Sequence, residues 1–124
     1  MKKIKQENLI LNKSFDFSLQ IIKLYKDLVS QHEYVISKQV LKSGTSIGAN
    51  INEAQAAQSR KDFISKMSVA SKEARETKYW LNLILMSNLV VNSSDLLNFL
   101  LKEVEDIINI LTRIVKTSSF NEKK

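Results

Sequence analysis

The 124-residue chain has no proline and no cysteine, and only two glycines, one histidine and one tryptophan. Without proline and nearly without glycine, it lacks the residues that build the turns of β-sandwiches and βαβ units, so a helical chain is expected. Without cysteine there is no disulfide frame, no thiolate nucleophile and no thiolate metal site, which suits a reducing cytoplasm. No run approaches the roughly 18 apolar residues that span a bilayer. The basic start MKKIKQENLILNKSF carries Gln6, Glu7, Asn8 and Asn12 where a signal peptide needs a continuous apolar core. A soluble, cytoplasmic chain of one domain is expected, with no membrane partner.

What is present is an ordinary globular balance of 44% hydrophobic and 26% charged residues, which argues against disorder. The net charge is +6, which favours an anionic partner. The excess is local. Lys2, Lys3, Lys5 and Lys13 outnumber Glu7 in residues 1–13, and six basic side chains face three acidic ones in residues 60–88, whereas residues 94–118 are slightly acidic.

Hydrophobic spacing divides the rest into four helical segments. The first runs from about Ser14 to Gln31 with two apolar stripes, Phe15, Leu19, Ile22 and Val29 on one and Phe17, Ile21, Leu24 and Leu28 on the other. Two stripes imply more than one partner. The third, about Arg60 to Asn88, aligns Phe63, Met67, Ala70, Ala74, Thr77, Leu81 and Leu85, and SRKD at its start is a Ser-x-x-Asp capping pattern. The fourth, about Ser94 to Thr117, carries Leu97, Leu100, Leu101, Val104, Ile107, Ile108, Leu111, Ile114 and Val115 at near-heptad spacing. The joints SQHE, AQSR and LVVNSS are short, which makes consecutive helices antiparallel neighbours. The expected fold is all-α, an antiparallel up-down-up-down four-helix bundle over residues 14–118. A basic segment, 1–13, precedes it and a tail, 119–124, follows.

The remaining segment holds SGTSIGANINEA, Ser43 to Ala54, whose glycines and hydroxyls could suggest a phosphate loop. Such a loop needs a preceding strand and a lysine after its second glycine, whereas Ala49 and Asn50 follow Gly48 and no strand precedes it. Ile36, Val40, Gly44, Ile47, Ile51 and Ala54 instead continue helical spacing, and Gly44 and Gly48 are four apart on one helix side. Small residues placed so let two backbones approach. Each glycine costs a helix about 1 kcal/mol against alanine, so tertiary packing must stabilise the segment.

SGTSIGANINEA followed by SRKDFISKMSVASKEARETKYWLNLI resembles the four helix bundle protein family, also called the 23S ribosomal RNA intervening-sequence protein family. The resemblance is strongest from Ile36 to Ile84 and extends more weakly over the chain. It implies a cytoplasmic antiparallel four-helix bundle that assembles as a homopentamer. The accessory protein of diversity-generating retroelements is similar in fold and works as a basic ring beside a reverse transcriptase and nucleic acid. Most members have no established activity, and an origin within an rRNA insert does not show ribosome binding.

Candidate sites follow from the third segment. Val69, Glu73, Glu76 and Trp80 lie together beside the core stripe, and an aromatic anchor there suits an oligomer interface; the plainer reading is that Trp80 covers the bundle edge. Lys61, Lys72 and Arg75 project opposite the apolar stripe, with Arg60 and Lys78 on its borders, a pattern for salt-sensitive, sequence-independent RNA or DNA backbone binding. Lysine-rich exposed faces are common, however, Glu73 and Glu76 dilute this one, and no interleaved aromatic residues or helix-turn-helix pattern are read there.

Glu53, Glu73 and Glu76 lack the Glu-x-x-His pairs of a ferritin-type centre. The one histidine, His32, reads as a solvated joint residue. Serine-hydrolase chemistry also lacks its parts, so no enzyme and no cofactor are expected. Asn50 and Glu53 read as structural, with Glu53 paired to Lys66 or Arg75, against a ligand pocket. Two functions stay open. One is a basic homo-oligomer that binds nucleic acid beside a nucleic-acid enzyme, and the other is a purely protein–protein scaffold.

Overall fold

The structure is a computed structural model that describes residues 2–123, with the side chains of residues 7–121. Lys2, Lys3 and Lys5, which carry most of the N-terminal charge excess, and the last residues of the tail therefore have side chains outside the described ones. Four helices make up the fold: α1 (Lys2–Ser30), α2 (Ile36–Ala54), α3 (Arg60–Met86) and α4 (Ser94–Lys123). Among the described residues there is no strand, and no helix is long and apolar enough to cross a membrane.

Each helix packs on two others, α1 on α2 and α4, and α3 on α2 and α4, so the diagonal pairs α1/α3 and α2/α4 do not adjoin. Contacts run in opposite senses along α1/α2 and along α1/α4. Gly44 faces Ile21 while Gly48 faces Ser14 and Ser18, and Gln31 at the end of α1 reaches Val91 just before α4 while Lys13 reaches Glu103 and Asp106 further along it.

The first helix begins at Lys2 rather than near Ser14. Its buried row is Ile10, Ser14, Phe17, Ile21, Leu24 and Leu28, a heptad of alternating four- and three-residue steps that passes through a serine. The serine hides the continuity from a hydropathy reading. Its hydroxyl donates to the Leu11 carbonyl at 3.1 Å, which makes its burial tolerable. The two stripes separate accordingly: Phe17, Ile21, Leu24 and Leu28 enter the core, whereas Phe15 and Leu19 are 64% and 50% exposed.

The end of α1 explains the exposed His32. It takes a left-handed φ of 66°, and the His32 and Glu33 amides donate back to the Val29 and Leu28 carbonyls, both at 2.9 Å. That is a Schellman ending with histidine in the slot glycine prefers. Glu33 then accepts from the free amides of Val35, Ile36 and Ser37 at the start of α2. At the start of α3, Ser59 accepts from the Asp62 amide at 3.0 Å, as SRKD implies. On α3 the buried row ends on Ile84, with Leu85 half-buried. The alternating steps of four and three from Phe63 continue unbroken to Ile84, whereas Leu85 would need two steps of four in a row after Thr77; a strict seven-residue repeat of this kind goes with a gentle left-handed supercoil.

At Gly44 α1 and α2 meet more tightly than at Gly48. A Cβ built there would stand 2.8 Å and 2.9 Å from Cγ1 and Cγ2 of Ile21, a fully buried side chain. Both atoms branch at Ile21 Cβ, and a β-branched side chain on a helix has one strongly preferred χ1, so it cannot swing aside. At Gly48 the nearest atom is the Ser18 hydroxyl, 3.3 Å away. Gly44→Ala is therefore expected to lose about 1–3 kcal/mol of stability by overpacking. Gly48→Ala should stay within about 1 kcal/mol of the parent, because improved helix propensity offsets a small shift of Ser18. Urea unfolding measures both, and equal losses at the two positions would contradict this packing.

Candidate nucleic-acid interface

The buried row from Phe63 to Ile84 sets the rotation of α3 and so which of its residues face solvent, and two polar contacts flank that row. On the α2 side, the buried hydroxyls of Thr77 and Ser43 share a hydrogen bond of 2.9 Å, and Thr77 also donates to the Glu73 carbonyl at 2.8 Å. On the α4 side, Lys78 pairs with Glu105 at 2.6 Å. Between these anchors, on the surface away from the core, lie Lys61, Lys72 and Arg75, all exposed. At 1.5 Å rise per residue, Lys61 and Lys72 stand about 16 Å apart along the axis.

The five basic residues singled out by spacing thus divide. Among the described residues the ion pairs are Lys13–Glu103, Lys13–Asp106 and Lys78–Glu105, so Lys61, Lys72 and Arg75 keep uncompensated charges on one face. Lys78 turns toward α4. Arg60 is exposed but lies over the Phe63 ring, 5.5 Å from its centroid, at the edge of the face and not in it. An open notch of about 470 Å³ lies beside it where α2 ends, bounded by Glu7, Gln55, Gln58, Arg60 and Phe63.

The second group flanks the α2 side of α3. Val69 is exposed, Glu73 is half-buried, and Trp80 is half-buried against the core cluster. The Trp80 Nε1–H donates to Glu76 Oε2 at 3.2 Å, which holds the Glu76 carboxylate toward Trp80 and away from Arg75. Tyr79, which the charge pattern leaves out, stands on the outer face one turn beyond Arg75 and is 60% exposed. Its signal was present in the sequence as a spacing of four from Arg75 and seven from Lys72.

Other expectations resolve elsewhere. Glu53 is exposed and forms no ion pair with Lys66 or Arg75, which corrects the expected register pairing. It lies in the last turn of α2, where solvent satisfies its charge. Asn50 is occupied within its own helix, donating to the Ser46 carbonyl at 2.9 Å. His32 is exposed, with Nδ1 3.0 Å from the Tyr34 hydroxyl. Among the described residues no group of three or more His, Asp or Glu side chains is placed to hold a metal. On the far corner of the bundle, Phe15 and Ile22 border an open groove of about 560 Å³ between α1 and α2, floored by the small residues Ser18, Thr45, Gly48 and Ala49.

The family model of the 23S rRNA-intervening sequence protein matches residues 6–113. The chain is also similar to a crystal structure of a protein with unknown function from the S23 ribosomal protein family of Bacteroides thetaiotaomicron. The two are 45% identical, the match covers 90% of this chain and 98% of that one, and the TM-score is 0.84. No curated protein matches the chain.

The Lys78–Glu105 pair is nearly half exposed on both sides, at 43% and 46%. Such pairs contribute about 0–1 kcal/mol. Glu105→Gln should therefore change unfolding free energy by less than about 1 kcal/mol, read by urea unfolding, while leaving Lys78 as a further free cation beside the outer face. A loss of several kcal/mol would show that this contact orients α3 more strongly than its exposure allows.

Proposed function

We propose, from the premise that the chain belongs to the 23S rRNA-intervening sequence protein family, that it is a non-enzymatic cytoplasmic adaptor. Its antiparallel up-down-up-down bundle assembles as a basic homo-oligomeric ring, a pentamer by the family resemblance, and binds RNA or DNA backbones without reading sequence. One observation carries this reading: Lys61, Lys72 and Arg75 share an exposed face and stand outside every ion pair of the described residues. Cations left uncompensated on one surface attract phosphates and release their counterions. A nucleic-acid enzyme is the natural companion of such a ring.

Assembly has its own support. A closed ring with more than two members joins unlike patches head to tail. Two non-adjoining helices carry unlike patches: the apolar α1 stripe of Phe15, Leu19 and Ile22, and the mixed flank of α3 in which Val69 and Trp80 stand beside Glu73 and Glu76. Large exposed apolar residues on one helix mark a contact surface. The same stripe favours the second reading, a scaffold that joins proteins and binds no nucleic acid.

Replacing Lys61, Lys72 and Arg75 together with Gln separates the two readings. With fluorescent RNA and DNA over a salt series, the parent's affinity should fall steeply as salt rises. The triple variant should bind more weakly, with a slope shallower by about two to three, at unchanged native mass. A parent that binds neither nucleic acid at low salt leaves the scaffold reading. For assembly, Val69→Glu puts a charge on an already exposed position, and native mass spectrometry should then show smaller species; an unchanged mass would place the contact elsewhere.

A further inference from the structure

Tyr79 gives the basic face a chemistry that charge alone does not. It lies four residues after Arg75 and seven after Lys72, spacings that bring helix side chains onto one side. Its ring meets Trp80 edge-on, with centroids 5.2 Å apart and planes at 73°. Trp80 is held by core packing and by its bond to Glu76, so Tyr79 is braced from one side while most of its surface meets solvent. Past Tyr79 the same side becomes aliphatic, with Leu83 and Met86 exposed, Met86 to 78%. The outer face of α3 therefore runs from cations, through an aromatic ring, to aliphatic side chains.

We infer that this face binds single-stranded nucleic acid, with phosphates on Lys72 and Arg75 and a base stacked on Tyr79. The inference rests on the nucleic-acid reading above and narrows its ligand. A duplex offers phosphates but keeps its base faces inside the stack. A single strand offers an anionic backbone and flat apolar faces together, which is what a cationic stripe beside an exposed ring complements. Stacking of this kind tolerates any sequence, because every base has a π-face. The Glu76 carboxylate, the nearest acidic group along the helix, is drawn toward Trp80 and leaves the Arg75–Tyr79 side cationic.

The test is fluorescence anisotropy on the full chain with labelled oligo-dT and oligo-U of about 12 nucleotides, within the length such grooves cover. A duplex and an abasic strand of the same length serve as controls, and the proteins are the parent, Tyr79→Ala and Tyr79→Phe. Tyr79→Ala should weaken single-strand binding about 5- to 150-fold and leave duplex binding, abasic binding and the salt slope unchanged. Tyr79→Phe should bind like the parent. Three outcomes overturn the inference: single-strand affinity unaffected by Tyr79→Ala, an equal loss on duplex or abasic strand, or a smaller native mass for Tyr79→Ala, which would make Tyr79 a subunit contact. If the lysine and arginine replacements abolish binding while Tyr79→Ala does not, only this inference fails. If the parent binds no nucleic acid, the broader reading fails with it.

Discussion

The approach of α2 to α1 at Gly44 is the constraint from which much of the surface follows. Ile21 occupies the space a Cβ at position 44 would need, so the two helices adjoin with a β-branched side chain set against bare backbone. Glycine within a helix is unfavourable by about 1 kcal/mol, and α2, at 19 residues, is the shortest of the four helices. Close packing against a fully buried Ile21 compensates for that cost through contacts that a wider spacing would forfeit. It also settles the rotation of α1. With Ile21 turned to Gly44, Phe17, Leu24 and Leu28 turn inward with it, and Phe15, Leu19 and Ile22 are left outside. The outward apolar stripe is thus a consequence of how α1 meets α2 and not a defect in the core.

A parallel logic orients α3. The Thr77–Ser43 hydrogen bond is buried, and a buried hydroxyl without a partner is costly, so it restricts rotation more than the solvent-screened Lys78–Glu105 pair on the opposite flank. Between a buried polar anchor on one side and an ion pair on the other, Lys61, Lys72, Arg75 and Tyr79 point away from the bundle. Lys78 is equally basic by composition. It differs because Glu105 on α4 lies within reach, and charge counting along one helix cannot see a carboxylate supplied by another.

These particulars mark what the sequence made legible. Helix number, the joints, the Ser59 cap and most of the buried rows on α2, α3 and α4 could be read, because each depends on spacing within one segment. The start of α1 could not, because the heptad runs through Ser14 and a polar residue conceals an apolar row. The place of Glu53 was misread for a different reason. A carboxylate near an apolar helix face suggests a buried partner, yet in a terminal turn solvent supplies what a partner would. Tyr79 was passed over because the basic face was read as free of interleaved aromatic residues, with Trp80 alone singled out from KYWL. Adjacent residues on a helix point about 100° apart, and that angle puts Trp80 against the core and Tyr79 in solvent.

The same angle bears on whether assembly and nucleic-acid binding are compatible on one helix. Val69, Glu76 and Trp80 lie toward α2, and Lys61, Lys72, Arg75 and Tyr79 face outward, so a neighbouring subunit seated on the first group need not cover the second. On the proposed reading the two surfaces then reinforce one another. A single α3 carries few cations, and exposed charges farther apart than about 8–10 Å are largely screened at physiological salt. Repetition around a ring would bring several such stripes to one flexible strand, and each added contact then forms at high effective concentration. Assembly would in that case raise affinity without any new chemistry in the subunit, and a surface too weak alone would become useful in the oligomer.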